Sequence, residues 1–153
     1  MTTVRSLLND IKKMDDRPNW NEYFMLVANL VAKRSSCVRL KVGCIIVKDN
    51  RIITTGYNGH IAGAPHETFI KDGHEQLTIH AETNAIGDVG KRGGANVNEA
   101  TVYVTHFPCI NCTKILISAG IKKVIYEMDY NNDESCMKLF STAKVDVEKF
   151  PEK

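Results

Sequence analysis

Residues 100–126, ATVYVTHFPCINCTKILISAGIKKVIY, contain two strand patterns on either side of one helix pattern. Ala100–Thr105 alternates as a half-buried strand does, and Lys123–Tyr126 is a short, mainly β-branched run. Between them, apolar residues that follow Pro108 recur with helical period as far as Gly120, a residue type that commonly ends helices. A helix between two strands is typical of α/β proteins.

The rest of the chain extends this pattern to the order α-β-β-α-β-α-β-α-β. That order predicts helices on both faces of one five-stranded mixed sheet, a three-layer α/β/α sandwich in a single domain of residues 1–153. Residues 59–79 have no clean period and are expected to form a long loop. The other expected elements are a helix over Trp20–Arg34, a hairpin of Val42–Lys48 and Arg51–Tyr57 turning at Asp49-Asn50, a helix that starts close to His80 and is interrupted by Gly87, Gly90, Gly93 and Gly94, a helix over Asp133–Ala143 and a strand at Val145–Val147.

Composition excludes several classes of protein. The 153 residues are 43% hydrophobic, which is enough for one continuous core, and 20 Lys+Arg against 18 Asp+Glu give no sign of a surface for long nucleic acids. The longest apolar stretch, Phe24–Ala32, is too short to span a bilayer, and no secretory leader is expected. An intracellular, cytoplasmic location is therefore expected, in the host cytoplasm if the source is viral.

Two short motifs carry the chemistry: His80-Ala-Glu82 and Pro108-Cys-Ile-Asn-Cys112. Cys109 and Cys112 are three residues apart, so on a helix their sulfurs face the same way and can bind one ion. The start of a helix favours the thiolate form. With His80 as third ligand, a tetrahedral zinc keeps its fourth position for water, which indicates catalysis rather than structure.

Glu82 is predicted to be the proton shuttle of this site. Zinc lowers the pKa of a bound water to about 7, which produces hydroxide at neutral pH. Because Glu82 follows the ligand His80 by only two residues, it cannot easily point at the same ion. It is expected to take a proton from the water and pass protons to a ring nitrogen and to a departing amine.

Three alternatives to catalysis remain open at this point. A structural zinc site needs a fourth protein ligand, for which His106 is the nearest candidate. A redox-active dithiol would leave His80 and Glu82 without a role. A non-catalytic binding module stabilised by zinc would have no use for Glu82.

With these motifs the chain resembles the deoxycytidylate deaminases of the cytidine deaminase-like superfamily, from about Arg17 to Phe150. Zinc nucleobase deaminases share the H-x-E and P-C-x-x-C signature. The further matching segments are Trp20-Asn-Glu-Tyr-Phe-Met25, Arg34-Ser-Ser-Cys-Val-Arg-Leu-Lys-Val-Gly43, Gly56-Tyr-Asn-Gly59 and His80-Ala-Glu-Thr-Asn-Ala-Ile86. The resemblance implies hydrolysis of dCMP to dUMP and ammonia, supplying dUMP for thymidylate synthesis.

The resemblance also implies a set of pocket residues. Asn58 is similar to an asparagine that holds the sugar or base edge, Asn84 is expected to reach the same pocket, and Tyr130 is expected near the nucleotide. Arg34 and Arg39 are cationic donors suited to a 5′-phosphate. Each of these residues also has a purely structural alternative to substrate binding. These are a turn role for Asn58, a local backbone bond for Asn84, a solvated loop for the arginines and core packing for Tyr130.

Members of the family are typically hexamers that dCTP with Mg²⁺ activates and dTTP inhibits, and Gly59 and His60 lie where effector contacts are expected. Many relatives bind a second, structural zinc through cysteines before the H-A-E motif. This chain has no such cysteines there, but Cys37, His66 and His74 are a candidate set. Cys44 and Cys136 are expected in the core.

Two rival activities within the same chemistry follow from the sequence. A deaminase of dCTP, instead of or as well as dCMP, would differ only in its phosphate pocket. A polynucleotide-editing deaminase must hold a flipped base and its flanking strand. The near-neutral charge and the absence of an aromatic and basic stretch disfavour the editing enzyme.

Overall fold

The computed structural model describes residues 1–152 and is built on one five-stranded sheet. Its spatial order is Arg51–Tyr57 (β2), Gly43–Lys48 (β1), Thr101–His106 (β7), Lys123–Met128 (β8) and Asp146–Lys149 (β9). Strand β1 runs antiparallel to both β2 and β7, whereas β7, β8 and β9 are parallel. The predicted mixed sheet is confirmed.

The five helices within residues 1–152 are Val4–Lys12 (α1), Trp20–Ala32 (α2), Ala81–Arg92 (α3), Ile110–Ser118 (α4) and Glu134–Thr142 (α5). None of them combines the length and the hydropathy that crossing a membrane requires. Between β2 and α3 the chain forms two small two-stranded sheets. They pair Gly59–His60 (β3) with Thr78–Ile79 (β6), and Ile70–Lys71 (β4) with His74–Glu75 (β5).

The sheet separates two hydrophobic clusters, because successive side chains of a strand point to opposite faces. On one face Ile45, Val47, Tyr103 and Ile125 pack with Phe24 of α2. On the other face the alternate strand residues pack against α3, α4 and α5. Members of that second cluster include Cys44, Ile46, Val102, Val104, Val124, Ala85, Leu116, Cys136 and Phe140. The three-layer arrangement and the core positions of Cys44 and Cys136 are confirmed.

Local sequence signals explain where several elements begin and turn. Asn19 caps α2 by accepting a hydrogen bond from the Glu22 backbone, and Glu22 accepts one in return from the Asn19 backbone. At the β1–β2 turn, Asp49 and Asn50 both have positive φ, 51° and 57°. Such angles suit a two-residue hairpin turn, as predicted.

One expectation about helices was wrong, and one helix was not predicted. Gly87 and Gly90 do not interrupt α3; they lie inside it on its exposed side, and the helix ends at Gly93, which has φ 69°. Tertiary packing of the opposite side of α3 outweighs the helix propensity lost at each glycine, about 1 kcal/mol. Helix α1 was not predicted, and it has no buried residue.

The first turn of α3 lies directly on β2 at Gly56. A Cβ atom at this position would overlap the carbonyl oxygen of Ala81 and lie 2.5 Å from the backbone nitrogen of Ala85. Only glycine allows the two backbones to approach so closely. This contact sets the height of the α3 N-terminus above the sheet.

We predict that Gly56→Ala destabilises the protein, because the added methyl group must push α3 away from β2. The midpoint of denaturant unfolding, followed by circular dichroism, should fall clearly. The matched control is Gly87→Ala in the same helix, where nothing lies within 4 Å of a new Cβ. That change should leave stability unchanged or raise it by up to about 1 kcal/mol. Equal midpoints for Gly56→Ala and the wild type would contradict the close contact.

Candidate active site

Helices α3 and α4 begin side by side, and each begins at a metal-binding type of residue. His80 is the N-cap of α3 and Cys109 is the N-cap of α4, both with extended backbone. Neither side chain bonds to the backbone of its own helix, so both are available to other partners. Both helix starts direct backbone N–H groups and partial positive charge toward the same place.

Three donor atoms converge between these helix starts. His80 Nδ1 lies 3.4 Å from Cys109 Sγ and 3.5 Å from Cys112 Sγ. All three donor atoms lie within 4.8 Å of one another. Within residues 1–152, no other set of three His, Cys, Asp or Glu residues meets this criterion.

The chemistry of the donor set fits zinc. Hydrogen bonds from Cys112 and His80 lower the pKa of the Cys109 thiol to about 3. The pKa of Cys112 is raised, since its thiol is hydrogen-bonded to Cys109 and is buried. Two adjacent thiolates repel each other, so a divalent cation between them is needed to keep both ionised. Two sulfurs and one imidazole then leave one position of a tetrahedral ion to a non-protein ligand.

Glu82 lies buried beside these donors. Its side chain is 4% exposed, and burial raises the pKa of its carboxyl group, although the nearby His80 acts in the opposite direction. A buried carboxyl group whose pKa is moved toward neutrality is suited to both accept and donate protons. The arrangement therefore combines a three-ligand metal site with one buried acid–base group.

The sequence model of the cytidine and deoxycytidylate deaminase zinc-binding region matches residues 18–128, a range that contains all four of these residues. The chain belongs to this family. In a cytidine and deoxycytidylate deaminase, zinc is the expected ion at His80, Cys109 and Cys112.

Several similar proteins are named deoxycytidylate deaminase. The chain is 47% identical over 137 residues to ComE operon protein 2 of Bacillus subtilis, covering 87% of this chain and 72% of that protein. It is 38% identical over 152 residues to human deoxycytidylate deaminase, covering 91% of this chain and 84% of the human protein. With the deoxycytidylate deaminase of Saccharomyces cerevisiae the identity is 37% over 164 residues, covering 98% of this chain but only 52% of the yeast protein.

Solved structures support the same family fold. The dCMP deaminase of the cyanophage S-TIM5, in complex with dCMP and dUMP, superposes with a TM-score of 0.78 at 33% identity. The match covers 88% of this chain and 99% of the phage protein. A cytidine deaminase-like α/β fold is thereby confirmed.

The two asparagines of the predicted pocket are both bonded to backbone. Asn58 accepts a hydrogen bond from the Val42 N–H (2.7 Å) and donates one to the Leu40 carbonyl (2.8 Å). Asn84 donates to the Tyr57 carbonyl at 2.8 Å. These bonds support the local backbone roles that the sequence left open, and contact with the nucleotide stays a prediction for both residues.

Arg39 and Tyr130 are brought together although 91 residues separate them. Arg39 Nη2 donates a hydrogen bond to the Tyr130 hydroxyl at 3.0 Å. The Tyr130 ring stands edge-on to His106, with ring centroids 6.0 Å apart. Tyr130 is 42% exposed, which argues against the core-packing alternative. Arg34, by contrast, is exposed and forms no side-chain hydrogen bond or ion pair with the described residues.

His106 does not join the three donors, so the structure gives no support to a four-ligand structural zinc site. The ring is buried, and its Nδ1 lies 2.8 Å from Thr105 Oγ1. The same hydroxyl oxygen accepts a hydrogen bond from the Gly43 N–H at 3.1 Å. Thr105 therefore links His106 to the start of β1.

The suggested second metal site is not formed in the described part of the chain, since the donor atoms of Cys37, His66 and His74 do not converge. The reason lies in the loop, where His74 belongs to the separate β4–β5 hairpin. His66 instead stacks on His60, with ring centroids 4.9 Å apart. The His60 Nδ1 atom lies 3.2 Å from Ser36 Oγ, which fixes this ring in place.

One residue of the site was overlooked in the sequence. Thr83 Oγ1 lies 3.7 Å from Cys112 Sγ. A signal was available, because Thr83 follows His80 by three residues and so shares a face of α3 with it. A threonine three residues after a histidine is not part of a known metal-binding motif, whereas the C-x-x-C pair is. The sequence therefore drew attention to the cysteines and not to Thr83.

Proposed function

We propose that this protein hydrolyses dCMP to dUMP and ammonia at the site formed by His80, Glu82, Cys109 and Cys112. The observation that carries the proposal is the convergence of three zinc-type donors at two helix starts, with a buried carboxyl group beside them. The human and yeast relatives named deoxycytidylate deaminase, and the phage enzyme in complex with dCMP and dUMP, support dCMP as the substrate.

A zinc ion held by His80, Cys109 and Cys112 would act as a Lewis acid and make a water molecule acidic enough to be deprotonated at neutral pH. Glu82 accepts that proton and delivers it to N3 of the cytosine ring as the water oxygen bonds to C4. Glu82 then receives the second proton of the former water and passes it to the departing amine. The C4–N4 bond breaks, ammonia leaves and the ring becomes uracil.

Arg39 is the proposed anchor for the 5′-phosphate. Its bond to Tyr130 uses one of five guanidinium N–H donors, so the others remain for phosphate oxygens. The Tyr130 hydroxyl fixes the direction of a long, exposed side chain, which lowers the entropy lost on binding. Arg34 lacks such a partner and is proposed as a secondary contact.

Further properties of the family are proposed for this chain on the strength of its membership. These are a cytoplasmic hexamer that supplies dUMP for thymidylate synthesis, with activation by dCTP and Mg²⁺ and inhibition by dTTP. Gly59 and His60 are the proposed effector contacts. Both ring nitrogens of His60 are hydrogen-bonded within the protein, Nδ1 to Ser36 and Nε2 to the carbonyl of Glu67, so a polar contact with an effector requires one of these bonds to open.

Replacing Glu82 with Gln tests the proposed function. The amide cannot shuttle protons, so kcat for dCMP should fall by about 10²- to 10⁴-fold while bound zinc stays at the wild-type level. Turnover is followed by the loss of cytosine absorbance and zinc by elemental analysis. Glu134→Gln is the control, because Glu134 is an exposed glutamate in the first turn of another helix. An active Glu82→Gln enzyme, or a zinc-loaded wild type that leaves dCMP unchanged, would contradict the proposal.

Replacing Arg39 with Ala tests the phosphate anchor. A charge-assisted hydrogen bond contributes about 1.5–3 kcal/mol, so KM for dCMP should rise roughly 10- to 100-fold. Activity on deoxycytidine, which has no phosphate, should not change. Tyr130→Phe should raise KM by less, and Arg5→Ala in helix α1, which has no buried residue, serves as the control. An unchanged KM for dCMP in Arg39→Ala would refute the assignment.

A further inference from the structure

The hydroxyl of Thr83 points at a sulfur atom rather than at the backbone of its own helix. Its Oγ1 atom lies 3.7 Å from Cys112 Sγ, and this is its one side-chain hydrogen bond within residues 1–152. Threonine in a helix commonly bonds the carbonyl three or four residues earlier. Thr83 stands in the first turn of α3, and the carbonyl of His80 already accepts from Asn84.

The two sulfurs of the site differ in their surroundings. Cys112 is 1% exposed, whereas Cys109 is partly open to solvent. A buried anion is costly unless a hydrogen-bond donor replaces the water it has lost. Of the two ligands, Cys112 is therefore the one that needs a donor.

We infer that Thr83 is a positioning residue of the metal centre, which donates its hydroxyl hydrogen to the Cys112 thiolate and thereby strengthens zinc binding. A thiolate carries no hydrogen, so once Cys112 is deprotonated the hydroxyl must be the donor. The bond also limits rotation of the Cys112 side chain, since Thr83 is fixed on α3 while Cys112 belongs to α4. The inference depends on the proposed zinc site.

Removing a group that hydrogen-bonds to a metal ligand typically lowers metal affinity or activity by 10- to 100-fold. For Thr83→Val, which keeps the β-branched shape and loses the hydroxyl, we expect weaker zinc binding: the zinc dissociation constant, measured in competition with a chelator, should rise about tenfold. Thr83→Ser retains the hydroxyl and should restore wild-type affinity to within about twofold. In the cobalt-substituted protein, the sulfur-to-metal absorption band should move in Thr83→Val and return in Thr83→Ser.

The chain offers a matched control in Thr113, the residue that follows Cys112. Thr113 is fully buried, and its hydroxyl has no hydrogen-bond partner within residues 1–152. Thr113→Val removes the same atom type next to the same ligand without breaking a bond. Its zinc affinity and cobalt spectrum should match those of the wild type. A cooperative unfolding transition, measured for every variant with saturating zinc, shows that the variant is folded.

The outcomes separate this inference from the proposed function. Wild-type zinc affinity in a folded Thr83→Val, with the wild type binding zinc and converting dCMP, would overturn the role of Thr83 alone. Equal weakening in Thr83→Val and Thr83→Ser would also overturn it, because a retained hydroxyl would then be without effect. A wild-type protein that binds no zinc would overturn the proposed function together with this inference.

Discussion

The backbone contact between Gly56 of β2 and the first turn of α3 is the constraint on which the rest of the site depends. It fixes His80 and Glu82 at a defined height above the sheet, because no side chain lies between helix and strand. The second helix start is fixed from the other side, since the Phe107 N–H bonds to the Met128 carbonyl just before Cys109. The convergence of the donors is thus set by main-chain packing rather than by flexible side chains.

This geometry concentrates negative charge in a small volume. Two sulfurs and the carboxyl group of Glu82 lie together, and both Cys112 and Glu82 are almost fully buried. Helix N-termini offset part of that cost, and a divalent cation offsets more. The arrangement would destabilise a protein that had no use for a metal. Its electrostatics therefore favour a bound cation, and the buried carboxyl group of Glu82, which is not one of the three converging donors, favours catalysis over a structural role for that ion.

Short-range patterns predicted the sheet and the donors, because spacing along a helix or strand determines which side chains share a face. Longer-range features were not predictable in this way. The Arg39–Tyr130 bond joins residues 91 positions apart, and the loop that holds His66 and His74 folds into two small two-stranded sheets. Helix α1 was missed because it has no buried residue, although Leu7 and Ile11 form part of a helical apolar stripe.

The most direct test of the central claim is X-ray absorption spectroscopy at the zinc edge on the purified wild-type protein. The account predicts one zinc per chain, bound by two sulfur atoms and two lighter nitrogen or oxygen atoms, of which a single one belongs to an imidazole. Two imidazoles or a third sulfur would mean four protein ligands and a closed, structural site. That result would contradict the proposed catalytic centre.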